Sequence, residues 1–265
     1  MFREVNYNTP MVIGTPLVAW KCERNEDMDW LRRRHAIKEQ FPNADFFAAL
    51  EVDARGLDPF AEVIEALNEV GGTYWTYMIN DNEEVVTSKN RWIRIETGRN
   101  LIREFAQRLR KMSENHWGEE TPQEGYVNYE AVLYVDSDIA LGEQHIEKML
   151  EVDHPLVGID VPQYCLTGKV INDSPRIEEH WNTAGMLLVN APAYYDLVWH
   201  HNSFLNLSDD PSFQSVAERL SRINEDGSFG EPWGQTWVRK DLPAYTKPLA
   251  PVETRNISNR VYDES

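Results

Sequence analysis

Hydrophobic positions along this chain follow two rhythms. In one, apolar residues run together over four to eight positions, as in a strand covered on both faces. "PMVIGTPLVAWK" (Pro10 to Lys21), "ADFFAALEVD" (Ala44 to Asp53), "TYWTYMIND" (Thr73 to Asp81) and "AVLYV" (Ala131 to Val135) have this form. In the other, apolar residues recur at helical spacing. In "DMDWLRRRHAIKEQFP" Trp30, Leu31, His35 and Ile37 cluster on one face, Asp29 is placed to cap and Pro42 lies beyond the end. "DPFAEVIEALNEVGG" has Asp58 as N-cap, Pro59 at the first helical position and Gly71–Gly72 as the stop. Glu96 to Asn115 is amphipathic, with Leu101, Ile102, Phe105 and Leu109 on one face.

Further along, "HPLVGIDVPQYC" predicts a strand and loop. "HWNTAGMLLVNAPAYYDLVWHH" predicts a strand over Met186 to Val189 and a helix from about Pro192, and "DPSFQSVAERLSRI" (Asp210 to Ile223) another helix. "LPAYTKPLAPV" reads as an extended tail punctuated by proline. Strand–helix alternation through the first half predicts an α/β domain with a mostly parallel sheet and helices on both faces; the second half is more irregular.

Composition narrows the class. The chain has 265 residues, 42% of them hydrophobic, with nine tryptophans, enough for one substantial core. No window approaches the ~18 apolar residues of a membrane-spanning helix, and "MFREVNYNTP" lacks a signal-peptide pattern, so a cytoplasmic protein is expected. Two cysteines, Cys22 and Cys165, are too few for a zinc-binding set and are expected as free thiols. The net charge of −18 disfavours a broad grip on a nucleic-acid backbone.

The chemistry concentrates in "YVDSDIAL". Two acids one residue apart, Asp136 and Asp138, close a hydrophobic run. Ligands of open α/β sheets bind outside the carboxyl ends of strands. Gly14, Thr15 and Pro16 interrupt the first run where its backbone could approach a ligand, and Asp81 follows the third. Hard divalent cations such as Mg2+ and Mn2+ take one or two carboxylates together with substrate phosphates. An Asp-x-Asp pair at a strand-to-loop bend can turn both acids toward one such ion. The same pair is also a common surface ornament, and its position gives it weight.

With these residues in view, "LYVDSDIAL" resembles the Asp-x-Asp segment of GT-A-fold glycosyltransferases, enzymes that use nucleotide-sugar donors. Other segments match in the same order: "VIGTP", "TGRNLIREFA", "WNTAGMLLVN" and "FGEPWGQTWVRK", the last similar to an acidic-then-helical segment near the acceptor. The similarity covers roughly residues 10 to 258 and is nearest to fungal mannan-type α-mannosyltransferases and related bacteriophage-encoded enzymes.

The resemblance implies one GT-A-like (Rossmann-like) domain. Residues 1–155 would be the donor-binding half, ending in the Asp-x-Asp motif, and 156–265 the sugar- and acceptor-binding half. Asp138 would ligate the metal, Mn2+ or Mg2+, and Asp136 would touch the ribose or a metal-bound water, with Ser137 between them against the donor. Thr15 and Pro16 would lie near the base, and Arg99 and Asn100 would face the diphosphate or sugar. Asn182, Ala184 and Gly185 would flank the donor sugar. Glu231 would be an acceptor-side acid, and the base if the reaction inverts; the mannan enzymes lean toward retention.

Many family members carry a late histidine as a third ligand. Here the last are His200 and His201, in a stretch predicted to be helical. Asn256, with Glu253 nearby, falls about where that ligand would be, and water and diphosphate are the alternative. The implied partners are a UDP- or GDP-sugar donor and an acceptor glycan, protein or modified nucleic acid, in a host cytoplasm if the protein is phage-encoded. A nucleotidyltransferase making a nucleotide sugar and a non-catalytic nucleotide-sugar-binding protein remain open. Against the former, "VIGTPLVAWK" offers only a fraction of the Gly-rich, basic loop such enzymes use.

Overall fold

The computed structural model describes residues 2–18, 29–78, 88–115, 128–137, 139–159, 185–199, 221–223, 228–234 and 236–239. The strands are β1 (Met11–Val18), β2 (Ala44–Glu51), β3 (Thr73–Tyr77), β4 (Ala131–Val135), β5 (Leu156–Ile159), β6 (Met186–Asn190), β7 (Ser221–Ile223), β8 (Phe229–Pro232) and β9 (Trp237–Arg239). The helices are α1 (Asp29–Arg32), α2 (Arg34–Gln40), α3 (Ala61–Glu69), α4 (Ser88–Asn115), α5 (Glu143–Leu150) and α6 (Ala193–Asp196).

Seven strands form one sheet in the order β3-β2-β1-β4-β6-β5-β9, and β7 pairs with β8 in a small antiparallel sheet. β3, β2, β1 and β4 are parallel neighbours; β6 runs against β4 and β5, and β9 is parallel to β5. The α/β class with a mostly parallel sheet is therefore as expected, with β6 the one reversed strand of that sheet among the described residues.

Both faces of the sheet are covered, which is why its strands read as continuous apolar runs. Met11, Ile13 and Leu17 of β1 join Phe46, Leu50, Leu133 and Val135 in one layer with Trp30, Ile37, Leu67 and Ile146 from the helices. Val12, Phe47, Val132 and Tyr134 turn the other way and pack with Ile102 and Ala106 of α4 and with Tyr194, Leu197 and Trp199.

Several local expectations are corrected. The first helical stretch is two short helices meeting at Arg33, and Asp29 lies within the first rather than capping it. His35 is exposed and bonds Glu69, where helical spacing had placed it on the apolar face. Asp58 opens a 3-10 turn, Asp58–Phe60, that feeds α3 and makes no side-chain cap. Gly71 does end the helix, with φ of 68° that other residues adopt at a cost. α4 begins at Ser88, a full two turns before Glu96. Ser221–Ile223 is strand, not the end of a helix, and Phe229–Pro232 and Trp237–Arg239 are strands where an acidic-then-helical segment was expected. The helix after β6 is a single turn.

No described helix is long and apolar enough to cross a membrane. Cys22, Cys165, Asp81, His200, His201 and Glu253 lie outside the described residues.

Buried phenols give this fold an alkaline limit. Burial pushes the Tyr134 hydroxyl up to about 12 and raises Tyr77 and Tyr129 as well, the last also through its hydrogen bond to Asp45. A folded-state pKa raised above the unfolded value of ~10 stabilises the fold fully below pH 10 and loses that contribution as pH climbs through the folded value. The unfolding free energy from urea denaturation should fall steeply from pH 10 to 12, by about 1 kcal/mol per pH unit for each such tyrosine. Tyr134→Phe should make that decline shallower, and an unchanged slope would exclude Tyr134 from it.

Candidate functional site

The strand order reverses direction of growth at β1: β2 and β3 add on one side of it and β4 on the other. Ligands of open α/β sheets bind outside the carboxyl ends of strands near such a reversal; here the helices that follow β1 and β4 lie on the same face, where Arg33 pairs with Glu143. β4 ends at Val135, which puts Asp136 just outside its carboxyl end, beside β1. The β1–β4 ladder closes at Gly14–Tyr134, while β1 continues to Val18 along β2. Pro16, which has no N–H to give a ladder, lies just beyond that last pairing.

Gly14, Thr15 and Pro16 do not interrupt the strand, as the sequence suggested; they are its continuous middle. The absent side chain of Gly14 is filled by Ile102 of α4, because a Cβ there would lie 2.2 Å from Ile102 Cγ2. Gly98, a turn earlier on α4, makes a second close approach, where a Cβ would come within 2.7 Å of Pro16 Cβ. These two glycines let α4 lie close against β1, and the residue after Gly98 is Arg99.

Arg99 lies at the heart of the site. Its side chain is only 2% exposed, and Nη2 donates to Asp136 Oδ1 at 3.0 Å. Its guanidinium carbon lies 4.5 Å from the Trp199 ring centroid, a cation–π stack. Arg99 is therefore an interior residue of the fold. The Asp136 side chain keeps 19% exposure. Its main chain is tied on both sides, the N–H donating to Gly185 O at 2.8 Å and the carbonyl accepting from Ile139 N–H at 3.1 Å. Gly185 and Asp136 are therefore neighbours. Thr15 Oγ1 donates to Val135 O and is buried, which fastens β1 to the last residue of β4.

Asn100 uses its carboxamide on main chain: Nδ2 donates to Trp199 O at 2.9 Å and Oδ1 accepts from Trp199 N–H at 3.0 Å. Ser137 is buried at 2% exposure, and its Oγ has no hydrogen-bond partner among the described residues. Glu231 is exposed on β8, in the small sheet separate from the one that carries Asp136. Asp138, Asn182, Ala184 and Asn256 lie outside the described residues.

Two features were not legible in the sequence. Nothing local in the sequence marks Trp199 as the wall behind Arg99. At the end of β2, Glu51 forms a buried ion pair with Arg94 at 2.6 Å, and the carbonyl of Arg94 accepts from Tyr77 at 2.9 Å. The signal for the first half of that pair was a lone acid inside the apolar run "AALEVD".

The residues present suit a hard divalent cation in their chemistry. Asp136 offers a part-exposed carboxylate and Ser137 a buried hydroxyl with no partner among the described residues, both oxygen donors. Among the described residues no group of three or more acids, histidines or cysteines converges. Asp136 also already shares one oxygen with Arg99, which fits an acid that assists beside a direct ligand better than one that carries the ion alone.

No protein-family model matches the chain, and no curated protein matches it by sequence. Solved structures do. One is a mannosyltransferase from Pyrobaculum calidifontis, in complex with GDP-Man and Mn2+, at 9% identity and a TM-score of 0.49, covering 97% of this chain and 62% of that one. The galactosyltransferase LgtC, in complex with donor and acceptor sugar analogues, is 16% identical with a TM-score of 0.33 over 68% of this chain and 57% of its own. A mannosyltransferase from S. cerevisiae is 10% identical with a TM-score of 0.30 over 69% of this chain and 56% of its own. The chain thus spans about three fifths of the length of the first of these.

Proposed function

We propose that this protein is a metal-dependent glycosyltransferase that moves a sugar from a nucleoside-diphosphate sugar to an acceptor hydroxyl. The observation that supports this best is the position of the Asp-Ser-Asp segment. It follows β4 directly, outside the carboxyl end of a strand paired parallel to β1, with the Asp136 carboxylate part-exposed and anchored.

In this reading Asp138 is the direct ligand of Mn2+ or Mg2+, with Asn256 or solvent completing the shell. Asp136 meets the ribose or a metal-bound water, and Ser137 lies against the donor between them. Residues 1–155 supply the donor side, with Thr15 and Pro16 near the base of a UDP- or GDP-sugar. Residues 156–265 supply the sugar and acceptor side, where Asn182, Ala184 and Gly185 flank the sugar and small side chains permit close approach. Glu231 serves the acceptor. A divalent cation bound there offsets the charge that builds on the leaving diphosphate. The chain's own task is to orient donor and acceptor, since holding two reactants in register removes much of the barrier. The acceptor is a hydroxyl of a glycan, a protein or a modified nucleic acid.

The test is a panel of UDP-, GDP- and TDP-sugars with Mn2+, read by release of nucleoside diphosphate. One donor should be consumed without any nucleoside triphosphate, and chelation should stop the release. Consumption that requires a nucleoside triphosphate and sugar phosphate would indicate nucleotidyl transfer instead. Failure to consume or bind any donor in the presence of metal would end the transferase reading.

A further inference from the structure

We propose that Trp199 is a positioning residue. Its indole, seated by Asn100, holds the Arg99 guanidinium against Asp136 and so sets where that acid points in the donor crevice. The inference rests on the transferase reading above for its functional half and on geometry alone for its structural half.

Three contacts carry it. Arg99 is 2% exposed, too buried to meet a diphosphate or sugar itself, so any effect it has on a ligand passes through Asp136, which is 19% exposed. A guanidinium has long, flexible connections to its backbone and needs walls to stay in one place. One wall is Asp136 Oδ1 at 3.0 Å; another is the Trp199 ring at 4.5 Å, which attracts the cation strongly in a desolvated setting. Tyr134, two residues before Asp136, packs edge-on to the same indole with ring centroids 5.0 Å apart. The strand that delivers Asp136 and the helix that delivers Arg99 therefore share Trp199.

Regular structure does not hold Trp199 there. α6 ends at Asp196, and Leu197 is already extended, with ψ of 122°. The segment is held instead from α4, by side chains that bond to its main chain. Asn100 makes both of its bonds to Trp199. One turn on, Arg103 donates from Nε to Tyr194 O at 2.9 Å and also to Tyr195 O, and Gln107 donates to Tyr195 O at 2.9 Å. Asn100, Arg103 and Gln107 recur at i, i+3 and i+7, one face of a helix. That face grips main chain, and its upper end fixes Trp199 over Arg99. A tryptophan that only filled the core would be indifferent to Asp136; a positioning tryptophan must be coupled to it.

The experiment is a double-mutant cycle of Trp199→Leu and Asp136→Asn, read by urea denaturation and by calorimetric titration of UDP and GDP with Mn2+. The effect of Trp199→Leu on the unfolding constant should differ at least about threefold between the native and Asp136→Asn backgrounds. Trp199→Leu alone should weaken Mn2+-dependent nucleotide binding about tenfold, with Trp199→Phe recovering some of the loss. Additive stabilities, or unchanged nucleotide binding in Trp199→Leu, would overturn the inference. If Trp199→Leu does not fold, Asn100→Ala, which frees the Trp199 main chain, enters the same cycle with the same criteria. If the unmodified chain binds no nucleotide, the transferase reading fails, and the stability cycle still decides whether Trp199 is coupled to Asp136.

Discussion

Arg99→Leu should cost about 3 kcal/mol or more of stability and remove donor binding. Removing one partner of a buried ion pair leaves the other charge without its counterion, a loss of roughly 3–5 kcal/mol in well-buried cases. The lower figure applies because Asp136 keeps 19% of its side-chain exposure and can recover some water. Leucine is a good helix former and fits the middle of α4, so the loss reports the charge and not the helix. The reverse change, Asp136→Leu, should cost at least as much, because a guanidinium cannot shed its proton and Arg99 is 2% exposed.

The double change Arg99→Leu/Asp136→Leu separates folding from function. Replacing both partners of a buried pair by apolar groups is often close to neutral. Its denaturation midpoint should therefore return most of the way to that of the unmodified chain while donor binding stays lost. A double variant as unstable as either single one would mean that Arg99 and Asp136 do not act on the fold as a pair.

Gly14→Ala is the second large effect, and it comes from one methyl group. A Cβ at Gly14 would lie 2.2 Å from Ile102 Cγ2 and 2.9 Å from Cγ1, closer than real atoms approach. Ile102 is fully buried and β-branched, so within a helix it is confined almost to one rotamer and cannot swing aside. β1 is paired to β2 and β4 at this point and cannot retreat either. The strain falls on α4, which must lift from the sheet. Overpacking of this kind costs about 1–3 kcal/mol and more where nothing yields; at the upper end the melting temperature should drop by roughly 6–12 °C.

α4 carries Arg99 one turn before Ile102, so donor binding should weaken along with stability. Ile102→Ala opens space at the same spot, and Gly14→Ala/Ile102→Ala should be more stable than the sum of the two single losses predicts. Strict additivity would show that the two positions do not collide. An alanine in a strand otherwise gains over glycine in the unfolded-chain entropy, so a stabilised Gly14→Ala would contradict the close approach outright.

Much of the sheet can be read from the sequence because burial on both faces erases alternation. β4 is found at Ala131–Val135, as its run of five apolar residues indicates. The start of α4 is not legible: "SKNRWIRI" is rich in cations and β-formers, so it shows no apolar face even though it is helical. Capping aspartates are ambiguous in the same way, since Asp29 and Asp58 look alike as caps and neither caps a helix. Gly14 shows the limit most clearly. A glycine in a strand signals that something comes close, but the sequence cannot say whether that is a ligand or Ile102.

At the site, the Asp-Ser-Asp segment was visible because two acids closing an apolar run stand out locally. Arg99 was flagged only by resemblance. Its grip on Asp136 joins residues 37 apart, and its stack on Trp199 joins α4 to a segment beyond β6. Such pairings depend on how elements pack, through Gly14 and Gly98 in this case, and no local pattern records them.

The central claim is that the Asp-Ser-Asp segment binds a divalent cation together with a nucleoside diphosphate. Titration calorimetry of UDP and GDP, with Mn2+ and with a chelator, on the unmodified chain and on Asp138→Asn, tests it most directly. One nucleotide should bind the unmodified chain with Mn2+ and lose at least about tenfold in affinity under chelation, and Asp138→Asn should bind equally weakly in both conditions. Equal binding with and without Mn2+ in the unmodified chain, or a Mn2+ dependence that survives Asp138→Asn, would contradict the account.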